Sequence, residues 1–350
     1  MKEKVRALVL FSGGLDSILA VKVLELQDIE VTGLCFISNF FGCDNAKKTA
    51  EANNVNLRIE DISDDILTLV KNPPSGYGKN LNPCIDCHSL MIKKAAEHLS
   101  LYPSPSQGEG RGDIYDFIAT GEVLGQRPFS QNRVALERVK KISGVDVLRP
   151  LSAKLLEETE VEKNGLVKRG KLLDIQGRTR EKQFELAKKL GVSQFPSPSG
   201  GCLLTDHDFS QRLIIMLANW ADCAINDVAL LNHGRVFWFN TDNKNKKVLA
   251  VVGRNEAENE ILGKLARQGD IMIELNKENG PVTLVRNMLL EGIDDCIIKL
   301  KIPGQIALKS LEIDNKNSSP DIVEKAAILT GFYATKARGK ETEIKILLIK

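Results

Sequence analysis

The segment "VRALVLFSGGLDSILA" (residues 5–20) constrains the fold more than any other stretch of the chain. An apolar run of strand length ends at paired glycines, and apolar spacing of helical period starts directly after them. The alternation then continues. "EVTGLCFI" (30–37), "NLRIEDI" (56–62) and "YDFIAT" (115–120) read as strands, with "VDVLRPL" (145–151) as a fifth. "DSILAVKVLELQ", "CDNAKKTAEANN", "DDILTLVK" and "SLMIKKAAEHL" carry helical spacing between them. Strands alternating with helices predict an α/β fold built on a parallel sheet.

A chain of 350 residues is long for a single core, so at least two domains are expected. Residues 1–151 form the parallel-sheet domain, interrupted by the Pro-, Gly- and Ser-rich segment "YPSPSQGEGRGD" (102–113), which reads as a surface insertion. Residues 152–221 are helical and basic. Residues 222–350 return to alternation and form a second, smaller α/β unit. Its strands are expected at "RVFWF", "KVLAVVG", "DIMIEL" and "PVTLV", and its helices at "NEAENEILGKLARQ" and "DIVEKAAILTGFYATKA".

With 43% hydrophobic and 27% charged residues, the chain can bury a core without covalent staples. No apolar run is long enough to cross a bilayer and the N-terminus lacks a signal-peptide pattern, so a cytoplasmic protein with no membrane partner is expected. The net charge of +2 says nothing about nucleic acid. Its distribution says more: residues 133–189 hold 15 Lys and Arg against 9 Asp and Glu, an excess of 6. Such a run is a solvated face unless a partner motif accompanies it.

The Ser-Gly-Gly-Leu-Asp-Ser turn, Ser12 to Ser17, is where chemistry enters. Strand, turn and helix put backbone N–H groups, the Ser12 and Ser17 hydroxyls and a helix N-terminus around one concavity, which suits an oligophosphate. Gly13 and Gly14 let the backbone turn tightly and approach the anion. The plainer alternative is a βα turn in which Asp16 or Ser17 merely caps the helix. No Gly-Lys-Ser/Thr follows the glycines and no Gly-x-Gly-x-x-Gly is present, so neither a Walker loop nor a dinucleotide fingerprint is at hand.

Of the seven cysteines, Cys35 lies inside an expected strand, and Cys223 and Cys296 lie in the C-terminal unit. These three read as small core filler. Cys43 opens a helix without a partner motif and is left unassigned. Cys84 and Cys87 in "NPCIDCH", and Cys202 in "SGGCLLT", are placed differently. They sit in Pro- and Gly-rich loops on the side where a parallel sheet carries its ligands, the first two just ahead of a helix whose amides stabilise thiolates. In a reducing compartment a Cys-x-x-Cys is more often a metal or redox site than a structural disulfide.

Ser12 to Ser17 resemble the PP-loop of the N-type ATP pyrophosphatases, which split ATP between the α and β phosphates and adenylate an acceptor oxygen. The resemblance implies ATP and Mg²⁺ as ligands, with Asp16 facing the metal and phosphates. It also implies adenine lying against the second strand at Phe36 and against Thr120 and Gly121 after the fourth. "ATGEVLGQRPFSQN" (119–132) and "LRPLSAK" (148–154) resemble blocks of the tRNA 4-thiouridine synthases. "NPCIDCH" and "GGCLLT" are similar to the two cysteine positions of the tRNA 2-thiouridylases. In place of the 2-thiouridylase barrel, "VGRNEAEN" and "GPVTLV" in the C-terminal unit resemble the RNA-binding domain of the NFACT family, which would make the basic stretch a phosphate track.

The resemblance implies an ATP-dependent tRNA sulfurtransferase producing 4-thiouridine or 2-thiouridine. Its partners are tRNA and a sulfur donor, either sulfide or a persulfide carrier, and a homodimer is a further expectation. Catalysis would fall to Asp16, Cys84, Cys87 and Cys202. Three readings of the thiols stay open. All three cysteines hold a 4Fe-4S cluster, leaving one iron open; or Cys202 carries a persulfide that Cys87 resolves, leaving Cys84 superfluous; or the pair is a structural zinc site, with His88 as the nearest extra donor. His207 and Lys154 are weaker candidates, the lysine as a neutraliser of phosphate charge. Two other functions fit parts of the sequence: an amide-forming ligase that activates a small carboxylate, and a non-catalytic RNA-binding protein with a degenerate loop.

Overall fold

The computed structural model describes residues 4–99, 115–197, 201–241, 247–288, 293–306 and 319–350. The expected insertion at 102–113 lies outside them. The chain divides into two compact units, Met1–Asp206 and His207–Lys350. The basic helical segment 152–221 is therefore shared between them, its part up to Asp206 belonging to the first unit.

The first unit is built on four parallel strands, β1 (Arg6–Leu10), β2 (Glu30–Ile37), β3 (Asn56–Asp61) and β4 (Phe117–Thr120), in the order β3-β2-β1-β4. β1 pairs with β2 from Arg6↔Glu30 to Leu10↔Leu34, and with β4 from Ala7↔Phe117 to Leu10↔Thr120. Its crossovers are helical: α1 (Leu15–Glu25), α2 (Asp44–Ala52), α3 (Ser63–Lys71) and α4 (Cys84–Ala96), followed by α5 (Arg133–Ser143), the short α6 (Glu160–Lys163) and α7 (Glu181–Lys189). Helices cover both faces, which is why β1 and β4 read as unbroken apolar runs. Ala7, Val9 and Phe11 pack with α1 and with Ala187 of α7 into one core, and α4 packs against β4, α3 and α5.

The expected fifth strand is reduced to a single parallel bridge, Ala119↔Leu148, carried by Thr120 N–H to Leu148 O (2.9 Å) and Leu148 N–H to Ile118 O (3.0 Å). Arg149 turns its side chain inward and Pro150, with no N–H to donate, ends the pairing there.

The second unit carries a six-stranded antiparallel sheet, β5 (Arg235–Asn240), β6 (Lys247–Val252), β7 (Ile271–Leu275), β8 (Thr283–Arg286), β9 (Cys296–Lys301) and β10 (Glu341–Leu348), ordered β5-β6-β8-β7-β10-β9. Helices α8 (His207–Asn219), α9 (Ile225–Leu230), α10 (Glu256–Leu265) and α11 (Ser319–Tyr333) accompany it, α11 packing on β6, β7, β8 and β10. β9 and β10 were not expected. β9 is an exposed edge whose Lys299 and Lys301 dilute its apolar signal, a common protection of sheet edges. Among the described residues no helix is long and apolar enough to cross a membrane.

Candidate functional site

Because β1, β2 and β4 run parallel, the loops after their C-terminal ends gather at one edge of the sheet. The first is the turn Ser12 to Ser17. Gly13 has φ +75°, and a Cβ on it would lie 2.6 Å from the backbone of Asn45 and Ala46 at the start of α2. Only glycine meets both demands. Gly14 takes the N-cap position of α1 without a side-chain cap; its N–H lies 3.4 Å from the Ser12 Oγ, and the buried Ser17 hydroxyl donates to Gly14 O (2.8 Å). That bond ends on a carbonyl, so neither Ser17 nor Asp16 caps the first amides of α1 as the plainer reading expected.

The loop after β4 lies directly on this turn. A Cβ on Gly121 would come within 2.6 Å of Asp16 C and Ser17 N, so the glycine sets how closely the two loops approach. Gln126 Nε2, further along the same loop, donates to Asp16 Oδ2 (2.9 Å), and Arg180, at the N-cap of α7, reaches the same oxygen at 3.4 Å. Three polar atoms here are buried without a partner among the described residues: Asp16 Oδ1, Gln126 Oε1 and Arg180 Nε. Leaving such a group unpaired costs on the order of 1–3 kcal/mol, so their clustering makes this turn a candidate ligand site.

Glu122 joins this loop to the cysteines. Its carboxylate accepts from Arg149 Nε (3.0 Å) and from the Thr120 hydroxyl (3.1 Å), and its other oxygen lies 3.1 Å from His88 Nδ1 on α4. Burial alone would raise the Glu122 carboxyl, but Arg149 and His88 outweigh it and hold the group at about 2. It therefore stays ionised, a buried hub tying the loop after β4 to the helix that carries the Cys-x-x-Cys.

That helix starts earlier than its apolar spacing suggests. Cys84 is the first residue of α4 and Cys87 lies in its first turn, so both thiols belong to the helix rather than to a loop before it. Pro83 sits at the N-cap without a side-chain cap, and Asp86 Oδ2 accepts from Ser75 N–H (2.8 Å). Cys202 reaches the same region from a distant segment. Leu203 N–H donates to Phe40 O (3.0 Å), and Asn80 Nδ2 donates to Thr205 O (2.8 Å), tying its turn to the loops after β2 and before α4.

The three thiols lie close enough to influence one another. Burial pushes the Cys87 thiol well up, and Cys202, Cys84 and Asp86 push it further. Burial also raises Cys84, against which the Arg127 guanidinium works, and it raises Cys202, opposed by the Leu204 N–H. An all-sulfur donor set of this kind suits iron-sulfur or zinc chemistry. Among the described residues no group of three or more His, Cys, Asp or Glu side chains is already arranged around a metal position.

Other expectations are redrawn. Cys35 is not free filler: it forms a disulfide with Cys43, the N-cap of α2, their Cα atoms 6.2 Å apart. A turn closed by Ser38 N–H to Phe41 O (2.9 Å) folds the chain back and brings them together. Phe36 and Thr120 are buried at the ends of β2 and β4. His207 is exposed beside Asp208, and Lys154 is exposed. The basic stretch is less free than its count suggests: Lys140, Lys163, Arg169 and Lys182 pair with nearby acids, while Arg149 and Arg180 point into the site. The sequence reading missed Glu122, Gln126, Arg149 and Arg180. The first three lie inside the quoted blocks 119–132 and 148–154, whereas Arg180 carries no motif.

No protein-family model matches the chain, and no curated protein matches its sequence. Solved structures with partial likeness include a predicted subunit of a tRNA methyltransferase from Methanocaldococcus jannaschii (13% identity, 53% of this chain and 76% of that one, TM-score 0.34). A 4-thiouridine synthetase in complex with RNA and ATP is 18% identical over 54% of this chain and 52% of its own, with a TM-score of 0.31. The U34-tRNA thiolase NcsA from Methanococcus maripaludis, solved with its 4Fe-4S cluster, is 16% identical over 67% of this chain and 74% of its own, with a TM-score of 0.29.

Proposed function

We propose that the chain is an ATP-dependent tRNA sulfurtransferase, which adenylates a tRNA uridine and replaces its carbonyl oxygen with sulfur. The observation that carries this reading is the loop 120–126. Through Gly121 and Gln126 it touches the phosphate loop, and through Glu122 it touches the helix of Cys84 and Cys87. A site that both activates an oxygen and holds thiols has the parts for exchanging oxygen for sulfur.

In this reading Ser12 to Ser17 bind the phosphates of ATP, with Asp16 toward Mg²⁺. The uridine carbonyl oxygen attacks the α phosphorus, and pyrophosphate leaves. Adenylation is needed because a carbonyl oxygen is a poor leaving group and AMP is a good one. Sulfide then adds at the activated carbon, and AMP departs with the original oxygen; with sulfide as donor no net oxidation occurs. Cys84, Cys87 and Cys202 would hold a 4Fe-4S cluster by three irons, and such a cluster supplies one open iron for sulfide. Arg127 and the α4 amides stabilise negative charge near Cys84.

The test is mass spectrometry of the nucleosides of unmodified tRNA after incubation with the protein, ATP, Mg²⁺ and sulfide without oxygen. Thiouridine is expected from the wild type and none from Cys202→Ala. Absence of any thiouridine with an iron- and sulfide-replete wild-type protein counts against the reading.

A further inference from the structure

We propose that Arg180 is a nucleotide ligand, held on Asp16 when no nucleotide is bound and transferred to the phosphates when metal-bound ATP arrives. The inference rests on the ATP-binding part of the function proposed above, and it assigns a residue that no motif marks.

The argument is one of charge and unspent hydrogen-bonding capacity. Asp16 Oδ2 is shared between Gln126 (2.9 Å) and Arg180 (3.4 Å), while Asp16 Oδ1, Gln126 Oε1 and Arg180 Nε stay buried and unpartnered among the described residues. Two of these atoms are acceptors and one is a cationic donor. A bare anion would meet the Asp16 carboxylate, and a bare cation would meet the guanidinium; neither fits alone. A divalent cation carried on phosphate answers both, the metal taking the free oxygens and the phosphate taking the free N–H. In the ligand-free protein Arg180 balances the charge of Asp16 in the metal's stead.

The placement of Arg180 supports a guanidinium that can change partners without leaving the site. Its bond to Asp16 is long for a charge-assisted contact, whereas its other face lies 5.7 Å from the centroid of Phe184, one turn along α7. Phe184 in turn lies 6.1 Å from Phe195. The ring orients the planar fork from the side, so a small shift exchanges carboxylate for phosphate.

The experiment measures two affinities on the full chain. The probes are Mg²⁺ with α,β-methylene-ATP, which cannot be cleaved at the bond in question, and Mn²⁺ alone, followed by its paramagnetic resonance signal. In Arg180→Gln the nucleotide affinity is expected to fall about tenfold to a hundredfold, the size of a lost charged hydrogen bond. Affinity for Mn²⁺ alone is expected to rise, because Asp16 loses its internal counter-ion. Arg180→Lys keeps the charge without the fork, and should recover part of the nucleotide loss while suppressing the gain in Mn²⁺ binding. Thermal unfolding of both variants checks that they fold. Unchanged nucleotide affinity in a folded Arg180→Gln overturns the proposal, and so does a parallel fall in both affinities, the pattern of a merely structural residue. A wild-type protein that fails to bind the nucleotide probe overturns the ATP-binding reading itself.

Discussion

Each unit of the molecule sets an arginine against an aspartate, fully buried in one and half-buried in the other, and the two pairs differ in how completely they are satisfied. In the C-terminal unit Arg286 is 1% exposed, and its donors reach Asp270 (2.6 and 3.0 Å), Asp227 (3.0 Å), Asn226 Oδ1 (2.6 Å) and Leu265 O (2.7 Å). Each of its guanidinium nitrogens has a partner. In the N-terminal unit Arg180 meets Asp16 at 3.4 Å, and polar atoms on both side chains go unpartnered among the described residues. A saturated network has nothing left to offer a ligand and serves to fix α9, the chain after α10 and β8 together. An unsaturated one holds binding capacity in reserve. The same residue pair thus forms a saturated clamp in one place and an unsaturated candidate site in the other, and hydrogen-bond completeness tells them apart.

Conservative changes at the two aspartates should separate the two roles most sharply. Asp16→Asn is expected to lower tRNA-dependent pyrophosphate release by about a hundredfold to a thousandfold, the usual weight of a group stabilising developing charge. Its melting temperature should barely move. Asp270→Asn should do the reverse, costing the C-terminal unit about 3–5 kcal/mol in urea unfolding, because a buried guanidinium loses its main counter-charge. If Asp16→Asn destabilises as much as Asp270→Asn, the distinction between clamp and site is wrong.

Glu122 tests the link between the two halves of the site. Its carboxyl is held at about 2 against an ordinary 4.5, so its stabilising contribution is complete above pH 4.5 and is lost as the pH falls toward 2. Roughly 3 kcal/mol of acid sensitivity should therefore be missing from Glu122→Gln when urea midpoints are compared at pH 5 and pH 2. An identical pH dependence in both proteins would mean that Glu122 is not held ionised by Arg149 and His88. The smallest effect is expected at the disulfide. Closing so short a loop contributes about 2–3 kcal/mol, so Cys43→Ser should unfold earlier than wild type without reductant and at the same point with it.

Much of the first unit could be read from the sequence because parallel strands buried on both faces leave unbroken apolar runs, and the Ser-Gly-Gly-Leu-Asp-Ser turn fixes where the first helix starts. The same logic failed at 145–151, where an apolar run ending in Arg-Pro bends into the site after a single bridge. The start of α4 was hidden because Asn-Pro-Cys reads as loop, although proline is well suited to helix starts. β9 and β10 were missed because edge lysines and alternating charges mask the period. At the site, the loop residues and the three cysteines were visible as motifs. Arg180 and the Cys35–Cys43 pair were not, since each depends on chain segments brought together only by the fold.

The most direct test of the account follows the fate of ATP labelled in its γ phosphate, in the presence of unmodified tRNA, Mg²⁺ and sulfide under anaerobic conditions. Cleavage between the α and β phosphates predicts labelled pyrophosphate and an equal amount of AMP, in step with the thiouridine formed, with no ADP. Release of labelled phosphate with ADP, or pyrophosphate release driven by a small carboxylic acid and indifferent to tRNA, would contradict it.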